Sequence, residues 1–89
     1  MKTNQIKWNW YPPRNGNKLT IQTKDLTEYD FFVILGEDKQ KAVLRVYRYN
    51  PKGYKTTPVL YKEFNTIGTA MLYAHKQAES MINNGGKVL

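Results

Sequence analysis

Residues 43–61, VLRVYRYNPKGYKTTPVLY, interleave cations with tyrosines at the spacing of a β-hairpin. Arg45, Arg48, Lys52 and Lys55 are suited to neutralising phosphates, and Tyr47, Tyr49, Tyr54 and Tyr61 to stacking on unpaired bases. Strand alternation puts Arg45, Tyr47 and Tyr49 on one face and Ala42, Leu44 and Val46 on the other. Two readings stand side by side. Either the cation–tyrosine face meets a nucleic acid, or its side chains pack across strands and stabilise an exposed sheet.

The charge pattern favours the first. The 89 residues carry 14 Lys and Arg against 7 Asp and Glu, a net charge of +7. Residues 1–24 hold Lys2, Lys7, Arg14, Lys18 and Lys24 and no acid. Residues 25–38 hold Asp25, Glu28, Asp30, Glu37 and Asp38 and no cation. Residues 39–62 hold Lys39, Lys41, Arg45, Arg48, Lys52, Lys55 and Lys62 and again no acid. A segregated basic surface attracts polyanions and speeds encounter with them.

Other chemistries have little to work with. There is no cysteine, so disulfides and thiolate metal sites are excluded. His75 is the only histidine and sits at the edge of a helical apolar stripe, where it reads as a half-buried packing residue. Ser80 is the only serine and falls on that helix's solvent side. No nucleophile–base pair can be assembled from them. The acids at 25–38 lack the spacing of a calcium loop, and no phosphate-cradling glycine motif occurs. The expectation is a protein that is not an enzyme, with no catalytic residues, no metal and no cofactor.

The elements that must position the face follow from periodicity. Residues 18–24, KLTIQTK, alternate with Leu19 and Ile21 inward and Lys18, Thr20, Gln22 and Lys24 outward. Residues 29–35, YDFFVIL, are apolar on both faces except Asp30, as in a central or doubly covered strand. Gly36-Glu37-Asp38-Lys39 suits a hairpin loop, residues 41–49 a third strand, Asn50-Pro51-Lys52-Gly53 a turn and residues 57–64 a return strand. If Leu60 and Phe64 face inward, Tyr61 joins Tyr47 and Tyr49 outside, and the hairpin tip adds Lys52, Tyr54 and Lys55.

Ile67, Ala70, Met71, Ala74, Ala78, Met81 and Ile82 form one stripe of a helix running from Thr66 to Met81 or Ile82. Asn65 or Thr66 can cap its start, and Asn83-Asn84-Gly85-Gly86 ends it. The expected fold is α+β: an antiparallel sheet of three to four strands, order ββββα, with one C-terminal helix on one face. Residues 1–17 read as an extended arm, 18–86 as the single domain and 87–89 as a tail. In the arm, Trp8, Trp10 and Tyr11 either fold back to cap the core or stack on a base or partner.

Residues 43–78 carry a more specific pattern: a strand, the Asn-Pro-Lys-Gly turn, a basic return strand, then Phe64-Asn65-Thr66 and Ala70 leading into the helix. This resembles the arm-site DNA-binding domain of tyrosine-type phage integrases. The resemblance implies a three-stranded sheet on one helix that reads the DNA major groove. Its groove-facing residues would be Arg45, Tyr47, Tyr49, Lys52 and Lys55. An extra strand and an aromatic arm precede the pattern, so a free-standing phage or mobile-element protein is implied. The element order is also similar to that of the positive-cofactor family of single-stranded DNA-binding proteins.

The expected partner is nucleic acid, DNA rather than RNA. The expected site is Lys18, Lys24, Arg45, Tyr47, Arg48, Tyr49, Lys52, Tyr54, Lys55 and Tyr61, with Trp8 and Trp10 stacking. The acid block motivates an alternative, an inhibitor or adaptor that docks on a host protein. Phe32 and Ile34, on the second face of their strand, motivate a homodimer. No run of about 18 apolar residues occurs and no signal-peptide stretch is present, so the expectation is a cytoplasmic protein without a membrane partner.

Overall fold

The computed structural model describes residues 6–12, 15–36, 41–50, 53–54 and 57–89. Residues 28–35 bury three successive side chains, Phe31, Phe32 and Val33, which only a strand flanked and covered on both sides can do. This strand is β3 (Glu28–Leu35), and it lies between β2 (Gly16–Gln22) and β4 (Ala42–Asn50), antiparallel to both. The outer edge of β2 is shared by β1 (Asn9–Tyr11) and β7 (Lys87–Val88). The outer edge of β4 is shared by β5 (Gly53–Tyr54) and β6 (Leu60–Phe64). The helix α1 (Ile67–Asn83) crosses β3, β4 and β6 on one face of the sheet.

The α+β class, the antiparallel sheet and the single C-terminal helix are as expected, but the sheet is larger than three to four strands. Seven strand segments join it among the described residues. The additions are the shortest segments, of two or three residues, too short to show a period. Residues 9–11 of the supposed arm pair with β2, and residues 16–17 begin β2 itself. The supposed tail at 87–88 pairs with Ile21 and Gln22. The return strand is shorter than 57–64, starting at Leu60. Residues 37–40 and 51–52, on which the two hairpin turns were placed, lie outside the described residues, yet Leu35 pairs with Ala42 and Asn50 with Gly53 across them.

The core lies between the sheet and α1. Leu19, Ile21, Phe31, Val33 and Leu44 are fully buried from the strands. Ala70, Ala74, Ala78 and Ile82 face them from the helix at every fourth residue. Three alanines on that row let the helix backbone approach the sheet closely. Ile6 and Trp8 cover the rest of this face, and the Trp8 ring meets Phe31 edge to face at 6.3 Å. Thr66 caps α1 by accepting from the Thr69 N–H at 3.1 Å. The helix stops where Gly85, at φ 99°, turns the chain so that the Gly86 N–H reaches the Met81 carbonyl at 2.9 Å.

Candidate nucleic-acid interface

Strand register fixes what the opposite, helix-free face carries. Lys18 stands opposite Phe32, Phe32 opposite Arg45, and Arg45 opposite Tyr61. These four side chains form one row across β2, β3, β4 and β6, cation next to aromatic next to cation next to aromatic. Neighbouring strands are about 4.8 Å apart, which brings paired side chains within reach of one another. On one side of this row lie Thr20, Asp30 and Tyr47, then Gln22, Glu28 and Tyr49. On the other lie Gly16, Ile34, Val43 and Glu63, with Tyr11 reaching in from β1.

Phe32 is only 7% exposed although it faces away from the helix. Tyr11 and Tyr47 cover it, with ring centroids at 5.6 and 5.8 Å. The Lys18 ammonium sits 5.4 Å from the Tyr11 ring centre and 5.6 Å from that of Phe32. Arg45 does the same on the other flank, its guanidinium 5.7 Å from the Tyr61 ring centre. The chain thus covers Phe32 by itself, which removes the reason that residue offered for a second copy. Asp30, beside Tyr47, accepts a hydrogen bond from the Thr20 hydroxyl at 2.9 Å.

The face brings together Lys18, Arg45, Tyr47, Tyr49 and Tyr61 of the expected site. It does not gather the rest. Arg48 stands opposite Tyr29, on the helix side, because its parity is that of Val46 and Leu44. Lys24 lies in the turn after β2, its side chain against Gly85 at the end of α1. Trp8 is committed to the core, and Trp10, 57% exposed, stands opposite Asn17 on the helix side. Of Tyr54 only the backbone pairing to Tyr49 is described, and Lys52 and Lys55 lie outside the described residues.

The face also departs from the expected charge. Among the described residues it carries Lys18, Arg45 and Lys87 together with Glu28, Asp30 and Glu63. The acid block is not set apart as it is in the sequence, because the sheet inserts β3 between the basic strands β2 and β4. Lys18 and Arg45 share one row, with Asp30 and Glu63 in the adjoining rows, and Lys87 stands beside Gln22 in the row of Glu28. Tyr11 and Glu63 are the neighbours that periodicity missed. Their place depends on pairings at the sheet's two edges, and the only local signal was the Asn15-Gly16 turn.

A cleft of about 570 Å³ opens at the Tyr61 end of the row, between Gly36, Lys41, Arg45, Tyr61 and Glu63. The Arg45 Nε is buried and has no hydrogen-bond partner among the described residues. No helix among the described residues is long and apolar enough to cross a membrane. Comparison with protein-family models, curated proteins and solved structures gives no match.

Proposed function

We propose that this protein binds nucleic acid through the helix-free face of its sheet, and that the strand it takes is single. The observation that carries this reading is the row Lys18–Phe32–Arg45–Tyr61. Its two cations neutralise phosphates, while Tyr61 and the neighbouring Tyr11 and Tyr47 offer flat faces to bases. Only unpaired bases can use such faces. A duplex would also bring a second phosphate backbone toward Glu28, Asp30 and Glu63, which favours one strand over two. The resemblance to integrase arm-site domains belongs to the same reading as regards DNA, whereas its major-groove mode gains no support from carboxylates on the sheet face.

The test is anisotropy of labelled oligothymidine and of a mixed-sequence duplex, titrated with protein at two salt concentrations. Tighter binding of the single strand is expected. Two neutralised phosphates give a slope of log affinity against log salt of about −1.4. Absence of binding at low salt, despite the net charge of +7, would remove nucleic acid as the partner. The carboxylates beside Tyr47 and Tyr49 favour one second reading, a protein partner with basic side chains, and that result would move it forward.

A further inference from the structure

The geometry points to the cleft beside β4 and β6 as a subsite for one unpaired guanine nucleotide; this rests on the single-strand reading above and names the base. Small-ligand sites have volumes of roughly 300–1,000 Å³. This one, about 570 Å³, holds a stacking surface, an anion site and a base-edge acceptor within three residues of one another in register.

Arg45 supplies the anion site. Its half-buried side chain lines the cleft and brings a guanidinium to it. A phosphate suits the fork of that guanidinium. Lys41 lines the same cleft and is exposed. Tyr61 supplies the stacking surface: it is 52% exposed, with Arg45 already over its ring. Glu63 supplies the acceptor. Its Oε2 receives the Tyr61 hydroxyl at 3.4 Å, a long bond that leaves most of the carboxylate's capacity unused.

An ionised carboxylate can only accept hydrogen bonds. Guanine is the one common base whose pairing edge presents two adjacent N–H donors, N1–H and the N2 amino group, and two carboxylate oxygens match them. Adenine and cytosine put a ring acceptor beside their amino group, which a carboxylate repels. Thymine sets its single N–H between two carbonyls. Pairing would occupy the guanine edge, so only an unpaired strand offers it. With Arg45 and Lys41 against Glu63, the cleft keeps a net positive charge for the phosphate.

The experiment uses the full chain and labelled thymidine decamers carrying one central guanine, hypoxanthine or adenine, plus the all-thymidine strand. The guanine strand should bind about tenfold tighter than the adenine strand, a discrimination within the range of one bidentate pair. The hypoxanthine strand, which lacks the N2 amino group, should fall between them. Glu63→Gln should bring the guanine-to-adenine ratio to about one, whereas Lys76→Ala, exposed on the helix, should keep it. Glu63 is exposed on an edge strand, and circular dichroism checks that the variant folds. If the all-thymidine strand binds and guanine adds nothing, or if the preference survives Glu63→Gln, the guanine subsite is overturned while single-strand binding stands. If no strand binds, both fall together.

Discussion

The Arg45 guanidinium lies 5.7 Å from the centre of the Tyr61 ring, directly across from it in the β4–β6 pairing. The contact does two things at once. It holds a flexible cation flat against the sheet, and it leaves the tyrosine with one face for a ligand. Arg45→Ala should therefore lower single-strand affinity about tenfold and reduce the salt slope by about 0.7, the share of one phosphate. Tyr61→Ala should cost about 1–3 kcal/mol of binding with little change in that slope. Titrations at several salt concentrations separate the two; an unchanged slope in Arg45→Ala would take the phosphate away from this residue.

Asp30 is directly opposite Tyr47 and hydrogen-bonded to Thr20, so its charge faces any strand that lies on the row beside it. Asp30→Asn keeps an oxygen for the Thr20 hydroxyl and removes the charge. Affinity for a single strand should rise about twofold to fivefold, the size of one screened repulsion. A fall in affinity would mean that the carboxylate itself contacts the ligand.

Gly16 begins β2 opposite Ile34, and a Cβ there would stand 2.2 Å from the Val33 carbonyl oxygen and 2.7 Å from the Ile34 Cα. Both are backbone atoms of the central strand and cannot step aside. Gly16→Ala should destabilise the fold by about 2 kcal/mol or more, seen as a lower urea midpoint. An unchanged midpoint would show that β2 and β3 separate easily at this end.

The hairpin between β2 and β3 places Leu26 at φ 73°, in the left-handed region, with its side chain 60% exposed. A left-handed conformation costs most residues about 1–2 kcal/mol, and asparagine less. Leu26→Asn should raise thermal stability by up to about 1 kcal/mol. A loss of stability would assign the exposed leucine a packing role.

In the same turn Asp25 accepts hydrogen bonds from the Thr23 hydroxyl and the Thr27 N–H, which hold its carboxyl below the ordinary value of 3.8. The folded state thus favours the ionised form. Its contribution to stability is present above pH 3.8 and is lost as pH falls through the lower folded value. Asp25→Asn should flatten the acid limb of a stability-against-pH curve and leave neutral pH nearly unaffected in slope. An acid limb identical to that of the unaltered chain would remove Asp25 as its source.

The helix and the three long strands were legible because each is long enough to display a period. Ala70, Ala74, Ala78 and Ile82 repeat every fourth residue, and Ala42, Leu44 and Val46 every second. The same parity put Arg45, Tyr47 and Tyr49 together before any pairing was known. It also contained the warning about Arg48, whose odd step from Arg45 sends it to the helix side. The edge segments were illegible. Asn9–Tyr11, Gly53–Tyr54 and Lys87–Val88 are strands only because a neighbour supplies their hydrogen bonds.

By itself the sequence determined the fold class, the inward faces of β2 and β4, the helix with its stop, and a net charge that favours polyanions. Those properties are local or additive. Only the tertiary structure decided the charge of the open face. Side chains 14 and 17 positions apart become neighbours there, as Lys18 does with Phe32 and Asp30 with Tyr47. Glu28 and Asp30, which looked separate from the cations along the chain, are thereby laid between the basic strands and among Lys18, Arg45 and Lys87. Strand order is set by which apolar faces can be buried together, and that is a property of the whole sheet rather than of any segment in it.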